Sequence, residues 1–141
     1  IIKYDGKQAW LSLVFFIICI SLTDLIHVHC FKNFFMRLRP CWDPQISDVC
    51  RAVVDKGGLY GFVSGHAANT TAIVVFFLLS YKKKGLNNFI NYLLIAWVVL
   101  VSYSRIYLGK HYPLDVICGI FLGLVIAYFL FYSHQYIKNK I

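Results

Sequence analysis

A histidine and an aspartate near the C-terminal third of the chain are spaced for joint chemistry. His111 and Asp115 stand in the segment SRIYLGKHYPLD, residues 104–115, four positions apart. That spacing places both side chains on one face if the first turn of a helix begins near His111. A carboxylate that accepts from one ring nitrogen fixes the tautomer and leaves the other nitrogen free to attack. The pair predicts nucleophilic catalysis, although a local capping contact would use the same two residues.

Three basic residues supply the charge that an anionic substrate would need. Lys32 and Arg39 are the first and last residues of the segment KNFFMRLR, and Arg105 follows a long apolar run. A cation at the bilayer centre costs about 2.5–3.5 kcal/mol, and three cations also repel one another, so their convergence is favourable only around an anion. The planar arginine fork matches phosphate oxygens, and lysine adds a point charge. Each residue alone is typical of a membrane interface, but together they indicate a phosphate site.

A third motif, Ser64-Gly65-His66, comes directly before a predicted helix. A hydroxyl, an unhindered glycine amide and the positive N-terminus of a helix together form a cradle for an anion. His66 would stand at the rim of that cradle. A serine before a helix is also an ordinary N-cap, so this motif indicates chemistry only alongside the other two.

Taken in order, the three motifs resemble the signature of the type 2 phosphatidic acid phosphatase superfamily. They span residues 32–115 and read Lys32-x6-Arg39-Pro40, Ser64-Gly65-His66 and Ser104-Arg105-x5-His111-x3-Asp115. That family includes membrane lipid phosphatases, such as undecaprenyl-diphosphate phosphatases, as well as soluble bacterial acid phosphatases and vanadium haloperoxidases. One position departs from the pattern, because the family usually has proline where this chain has Val63. The departure bears on the geometry of the loop and not on the reaction.

The resemblance implies a role for each residue of the motifs. His111 is the nucleophile that forms a phosphohistidine, Asp115 orients it, and His66 protonates the leaving oxygen and then activates water. The other motif residues hold the phosphoryl oxygens: Lys32, Arg39, Ser64, Gly65, Ser104 and Arg105. No metal or other cofactor is expected, because fixed cations can do the work of Mg²⁺. The six acidic residues are all aspartates and form no cluster in the sequence that would hold a metal.

The motifs are embedded in a chain whose composition is typical of a membrane protein. Hydrophobic residues make up 60% of its 141 residues and charged residues only 14%, against about 45–50% and about 25% in soluble domains. The apolar runs are too long, and alternate too little, for strands. We therefore expect an all-α, polytopic membrane bundle with about four transmembrane helices, forming one domain over residues 1–141. The missing initiator methionine predicts a C-terminal part of a longer chain, with preceding helices absent.

The apolar segments and the loops between them predict which side of the membrane carries the motifs. Helices are predicted over residues 8–30, 65–81, 88–104 and 113–133. The loops 31–63 and 105–112 then share one side, and the lysines of residues 82–84 mark the other side as cytoplasmic. The loops that carry the motifs contain as many cations as the opposite side. The rule that positive residues mark the cytoplasmic side therefore holds only if the cations of the motif side bind phosphate. The motifs are expected to face the outside, which is the periplasm for a bacterial inner membrane.

Four polar residues of the outer loops lie beside the motifs without belonging to them. Arg37 and Lys110 are expected to be solvated, or to attract acidic headgroups. Cys41 and Cys50 share one loop and could pair if that loop faces an oxidising compartment. The sequence leaves both states of the two cysteines open, because it does not supply their geometry.

The motifs predict an integral membrane phosphatase acting on a phosphate monoester or diphosphate of a lipid. Undecaprenyl diphosphate, phosphatidate, phosphatidylglycerol phosphate and a lipid A phosphate are the expected kinds of substrate. A non-catalytic membrane protein that binds anions or lipids is one alternative, but it would not need paired histidines. A haloperoxidase-like enzyme that uses vanadate is another, and the apolar runs oppose it. The net charge of +8 does not indicate a nucleic-acid partner, because no groove-reading helix carries it.

Overall fold

A computed structural model describes residues 7–50, 53, 55–81 and 87–140, and these form a bundle of long helices. The four main helices are α1 (Lys7–Leu25), α2 (Gly65–Tyr81), α3 (Asn88–Tyr107) and α4 (Pro113–Lys138). The chain continues beyond α1 as a π-helical segment, Ile26–Lys32, and a last helical turn, Asn33–Phe35. No strand occurs in the described part of the chain, and Leu38 and Tyr60 form an isolated antiparallel bridge.

Local sequence signals explain where α3 and α4 begin. The side chain of Asn87 accepts a hydrogen bond from the amide of Phe89 at 3.0 Å and so caps α3. Pro113 opens α4, where a missing N–H costs nothing, and the Asp115 carboxylate accepts from the amide of Tyr112 at 2.9 Å. Asp115 is therefore fixed by the start of the helix that carries it.

The helices have the length and the surface of membrane-spanning segments. Three of them, Ala9–Phe35, Asn88–Tyr107 and Pro113–Lys138, are long and apolar enough to cross a bilayer, and Gly65–Tyr81 is a shorter apolar helix. Many large apolar side chains lie on the outside of the bundle, among them Leu100 at 66% exposure. That distribution suits lipid as the solvent. The expected fold class, an all-α membrane bundle, is confirmed, and the protein is an integral membrane protein.

Two glycines let α4 pack closely against α2. At Gly123 an added Cβ would overlap the carbonyl oxygen of Ala68 and would lie 2.8 Å from the Cβ of Thr71. At Gly119 it would lie 2.6 Å from the carbonyl oxygen of Ser64. The two glycines are spaced as in the small-xxx-small pattern of membrane helix interfaces. The contact of Gly119 with Ser64 ties this interface to the start of α2, where the third motif begins.

Gly123→Ala is expected to lower the thermal midpoint of the protein by about 5 °C or more. The added methyl group meets backbone atoms of α2, which cannot move aside as a flexible side chain could. Overpacking of this kind costs about 1–3 kcal/mol. Thermal unfolding in detergent measures the effect, and Gly58→Ala is the matched control, since its Cβ would meet only the Arg39 Nη2 at 4.0 Å. Equal midpoints for the two variants would contradict the packing described.

The remaining core lies where α1 meets α2 and α4. Phe15 and Cys19 of α1 pack with Phe76 of α2 and with Ile126 and Leu130 of α4 in one buried cluster. α3 packs chiefly against α2 and leaves most of its surface to the surroundings. The bundle therefore has a firm centre made of three helices, and the start of α2 and the start of α4 lie beside each other at one end.

Some boundaries differ from the sequence expectation. The first helical segment was expected to end at residue 30, but helical structure runs to Phe35, and Met36, with φ of 44°, ends it. α3 and α4 likewise extend to Tyr107 and Lys138, beyond residues 104 and 133. The widened π-helical turns carry Lys32 at the end of a helix, whereas the sequence placed it in a loop. Lys82, Lys83 and Lys84, on which the predicted orientation depends, lie outside the described residues.

Candidate active site

The centre of the candidate site is the pair formed by His111 and Asp115. His111 ends the turn between α3 and α4 and is 4% exposed, and Asp115 in the first turn of α4 is fully buried. The Oδ2 atom of Asp115 lies 3.7 Å from the Nδ1 atom of His111. Nδ1 has no hydrogen-bond partner within the described chain. Catalytic hydrogen bonds are often long without substrate, and this contact is placed to keep the proton on Nδ1 and leave Nε2 free.

Arg37 completes the surroundings of Asp115, contrary to the expectation that it would be solvated. Its Nη1 donates to the Oδ1 atom of Asp115 at 3.0 Å, and its guanidinium lies 4.3 Å from the centroid of the Tyr112 ring. The backbone explains the approach, because the amide of Gly61 donates to the carbonyl oxygen of Arg37 at 2.8 Å. The expectation was wrong because this pairing across the long loop turns Arg37 inward. Asp115 thus has both carboxylate oxygens engaged.

Arg37→Ala is expected to lower kcat for phosphate release by about 10- to 100-fold while changing KM little. The substitution leaves the buried Asp115 carboxylate without its cationic partner, and a partly paired buried charge is costly. A loss confined to kcat separates the positioning of Asp115 from direct substrate binding, which would raise KM. Lys56→Ala is the matched control, because Lys56 is exposed and stacks on Trp42 at 4.9 Å. A rise in KM alone would show that Arg37 binds substrate instead.

Tyr112 and Asp43 extend this cluster outward. The hydroxyl of Tyr112 donates to the Oδ2 atom of Asp43 at 2.7 Å. Burial and this hydrogen bond raise the pKa of Tyr112 to about 12, so the phenol stays protonated and keeps donating. The same hydrogen bond lowers the pKa of Asp43. Loop residues 37 and 43 are therefore both attached to the start of α4, which holds the loop over His111.

Arg39 is positioned by backbone contacts that run across the long loop. Its amide donates to the carbonyl oxygen of Leu59 at 3.0 Å, and its side-chain Nε donates to the carbonyl oxygen of Tyr60 at 3.1 Å. Burial lowers the pKa of the guanidinium, and the charge of Asp115 offsets part of that effect. The arginine nevertheless stays charged. A cation that is half-buried and close to the reaction centre is the arrangement that a phosphate site needs.

Two glycines of the same loop show how closely the functional groups approach one another. A Cβ added at Gly61 would lie 3.1 Å from the Cγ of Arg39, 3.3 Å from the Oδ2 of Asp115 and 3.5 Å from the Nδ1 of His111. A Cβ at Gly57 would meet both the Nη1 of Arg39, at 2.8 Å, and the Nζ of Lys110, at 3.3 Å. Sequence reasoning assigned no role to either glycine. The Arg39 and Lys110 side chains both lie beside Gly57.

The motif Ser64-Gly65-His66 forms the start of α2, directly against α4. The amide of Ser64 donates to the carbonyl oxygen of Asp115 at 2.9 Å. The hydroxyl of Ser64 is buried and has no hydrogen-bond partner within the described residues. Gly65 is required for space, because a Cβ there would lie 2.8 Å from the Cδ2 of the His27 ring. The Ser64 hydroxyl is therefore a candidate donor to a phosphate oxygen.

His66 is exposed in the first turn of α2 and is surrounded by the other predicted groups. It interacts electrostatically with Arg105, His111, Lys32 and Arg39. Lys32 and Arg39 also interact with each other. These groups come from four separate parts of the chain, so the fold brings both histidines and all three predicted cations to one place.

The hydroxyl of Ser104 makes its hydrogen bonds within its own helix, unlike the hydroxyl of a simple phosphate ligand. Its hydroxyl donates to the carbonyl oxygen of Val101 at 2.7 Å and accepts from the Nε of Arg105 at 3.1 Å. The single proton of Ser104 is therefore used within α3. In this structure the serine orients the Arg105 side chain, and Arg105 is the group of this motif that presents a donor to an anion.

One polar contact joins α1 to α2 near the segment that carries Lys32. The amide nitrogen of the Asn69 side chain donates to the Oδ1 of Asp24 at 2.6 Å. The ring of His27 contacts the carbonyl oxygen of Thr23 through Nδ1 at 3.1 Å within the first helical segment. Among the described residues, no group of three or more histidine, cysteine or acidic side chains could hold a metal ion.

Cys41 and Cys50 lie side by side in the loop that carries Arg39. Their Sγ atoms are 2.7 Å apart, and the thiol of Cys41 contacts the carbonyl oxygen of Gly109 at 3.2 Å. Cys41 is 3% exposed. Pairing of the two thiols, which the sequence left open, is therefore sterically available.

Comparison with known proteins decides which family has this arrangement. A family model described as the PAP2 superfamily matches residues 9–139. The chain belongs to the PAP2 superfamily. This confirms the resemblance carried by the three motifs, since the matched region includes all of them. The resemblance therefore extends beyond the motifs to nearly the whole length of the helical bundle.

Individual PAP2 relatives agree with this assignment. The chain is 32% identical to a lipid A 4'-phosphatase of Porphyromonas gingivalis over 98% of its own length and 57% of the relative. It is 44% identical to an undecaprenyl-diphosphatase of Sulfolobus acidocaldarius over 49% of the chain and 31% of the relative. A crystal structure of a transmembrane PAP2 type phosphatidylglycerolphosphate phosphatase from Bacillus subtilis superimposes with a TM-score of 0.66 at 25% identity, covering 91% of this chain and 59% of the other. The chain spans little more than half the length of the first of these relatives.

Proposed function

We propose that the protein is a membrane lipid phosphatase that hydrolyses a phosphate monoester or diphosphate of a lipid through a phosphohistidine. The observation that carries the proposal is the convergence of the His111–Asp115 pair with His66 and a set of cations. A protein that only binds anions needs the cations but not a paired nucleophile and acid. PAP2 relatives named as phosphatases of lipid A, undecaprenyl diphosphate and sphingosine 1-phosphate support the same class of substrate.

In the first step the Nε2 atom of His111 attacks the terminal phosphorus, and the bond between that phosphorus and the leaving oxygen breaks. The leaving oxygen is the lipid oxygen of a monoester or the bridging oxygen of a diphosphate, which leaves as the lipid monophosphate. Asp115 keeps the Nδ1 proton in place and stabilises the positive charge that develops on the ring. His66, in its protonated form, donates a proton to the leaving oxygen. In the second step His66 takes a proton from a water molecule, which attacks the phosphohistidine and releases inorganic phosphate and free His111.

Charge stabilisation accounts for most of the expected rate enhancement. Phosphoryl transfer depends chiefly on positioning and on neutralising the charge of the three equatorial oxygens. Lys32, Arg39 and Arg105 provide that charge, and the hydroxyl of Ser64 and the amide of Gly65 add donors at the positive end of α2. Ser104 acts through Arg105. We expect no requirement for a metal ion, so activity in a chelator should equal activity with added Mg²⁺.

The location of the site at one end of an apolar bundle favours a lipid substrate. A lipid phosphate lies at the membrane interface with its acyl or prenyl chain in the hydrocarbon, and the helices continue from the site along that chain. We propose that this end faces the outside of a bacterial inner membrane, and that residues 1–141 act as a single membrane-embedded phosphatase domain. A soluble phosphate ester would not require an apolar surface of this extent.

A panel of phosphorylated lipids tests the proposal. Purified protein in detergent or vesicles is incubated with undecaprenyl diphosphate, phosphatidate, phosphatidylglycerol phosphate and a lipid A phosphate, and release of inorganic phosphate is measured with and without chelator. We expect turnover of at least one long-chain lipid, faster than that of its short-chain analogue. Binding without turnover would favour the non-catalytic alternative, and halide oxidation after loading with vanadate would favour the haloperoxidase-like one. Equal turnover of short and long chains would remove the lipid preference.

A further inference from the structure

The loop that carries Arg39 folds back on itself so that two of its cysteines meet. Cys41 lies in the short 3₁₀ turn Pro40–Trp42, and Cys50 ends the turns that follow. The amide of Cys50 donates to the carbonyl oxygen of Ile46 at 2.9 Å, and that of Ser47 to the carbonyl oxygen of Asp43 at 2.8 Å. These backbone hydrogen bonds hold the two thiols against each other, so the encounter does not depend on flexible side chains alone.

The same short loop is attached to the reaction centre at several points. Arg39 precedes Cys41 by two residues, and the Cys41 thiol contacts the carbonyl oxygen of Gly109 in the turn that leads to His111. Asp43, between the two cysteines, accepts from the hydroxyl of Tyr112. A covalent link across this loop would therefore restrain both the phosphate-binding arginine and the cover over the nucleophile.

We propose that Cys41 and Cys50 form a disulfide bond that clamps this loop over the candidate active site when the loop faces an oxidising compartment. The inference rests on the outward orientation given under the proposed function. Each thiol loses one proton and the pair loses two electrons as one S–S bond forms. The electrons reduce the disulfide of an oxidised dithiol protein, whose two sulfurs take up the two protons.

The surroundings of the two thiols suit a lasting bond better than a reactive pair. Cys41 is nearly completely buried, so a reductant has poor access to its sulfur. Burial, followed by the hydrogen bond with Cys41, raises the pKa of Cys50 to about 11. A sulfur whose thiol has a raised pKa is a poor leaving group when a disulfide is attacked, so exchange at Cys50 is slow. Of the remaining cysteines, Cys19 is buried, Cys118 is half-buried and Cys30 is exposed.

Differential alkylation tests the bond directly and needs no activity measurement. Cells producing the protein are quenched with acid and denatured, free thiols are blocked with one reagent, and disulfides are then reduced and labelled with a second reagent. Mass spectrometry is expected to find the second label on Cys41 and Cys50 and the first label on Cys30. In Cys41→Ser, Cys50 should change to the first label. The first label on both cysteines of the unaltered protein would overturn the proposal, whatever the outcome of the phosphatase assays.

Reduction gives a second measurement. The disulfide closes a loop of about ten residues, so dithiothreitol should lower the thermal midpoint by about 5–10 °C. It should also lower kcat/KM by about two- to tenfold, because Arg39 is held less firmly. The double variant C41S/C50S should match the reduced protein and should not respond to dithiothreitol, whereas the control Cys30→Ser should respond as the unaltered protein does. Identical midpoints for the unaltered protein and C41S/C50S would contradict the clamp.

Discussion

Replacing His111 with alanine is expected to lower phosphate release from a lipid phosphate by about 10⁴-fold or more. The proposed reaction forms its first covalent bond at the Nε2 of this residue, whose ring Asp115 is placed to orient. Removing a covalent nucleophile leaves only the stabilisation by charges and positioning. The measurement is release of inorganic phosphate under substrate saturation, so that a change in binding does not mimic a change in chemistry.

Two further variants make the His111 result interpretable. His111→Gln keeps a polar side chain of similar size at a buried position and should be equally inactive while retaining the thermal midpoint within about 3 °C. His29→Ala removes an exposed histidine near the end of the first helical segment and should keep nearly full activity. A His111→Ala protein that retains more than about a tenth of the parental rate would have to use another nucleophile.

Replacing His66 with alanine is expected to lower kcat for a lipid phosphate by about 10²–10⁴-fold, the usual contribution of a general acid and base. The loss should depend on the leaving group. 4-Nitrophenolate leaves without a proton, so the first step should proceed nearly normally with 4-nitrophenyl phosphate. The second step still needs a base to activate water. We therefore expect a burst of one equivalent of nitrophenolate followed by slow turnover.

The shape of this time course distinguishes the assigned role from other roles of His66. If the residue served only to bind phosphate, both kinds of substrate would lose the same factor and no burst would appear. If it only stabilised the start of α2, the thermal midpoint would fall together with the rate. The companion variant Thr70→Ala removes a hydroxyl that donates to the carbonyl oxygen of His66 at 2.8 Å in the same helix. This variant should show no burst and should turn over at nearly the rate of the parent.

The helices could be predicted from the sequence because their signals are local. Apolar runs, together with Pro113 at the start of the last helix, fixed the start of α4 and the existence of all four helices. The extension of the first helical segment to Phe35 could not be seen, because the widened turns Ile26–Lys32 have no sequence signature. The pair Gly119 and Gly123 did carry a recognisable signal in the pattern of small residues four apart, but that pattern does not say which helix is the partner.

In the candidate site as well, the residue types could be predicted from the sequence, whereas contacts between distant segments could not. The types and order of the motif residues predict a phosphate site, because the chemistry that the resemblance implies requires those residues. Arg37 was misjudged because its contact with Asp115 depends on the pairing of two loop segments more than twenty residues apart, which no local pattern encodes. Gly61, whose missing side chain leaves room among Arg39, Asp115 and His111, was missed for the same reason. The hydroxyl of Ser104 was assigned to substrate, whereas the helix uses its proton.

Trapping of the phosphorylated protein tests the central claim most directly. The parent protein and His66→Ala are mixed with 4-nitrophenyl phosphate carrying ³²P, quenched with alkali after milliseconds to seconds, and analysed by peptide mass spectrometry. We predict an alkali-stable, acid-labile phosphoryl group on His111, present briefly in the parent and accumulating in His66→Ala. Label on a different residue, or continued release of phosphate by His111→Ala without any label, would contradict the account.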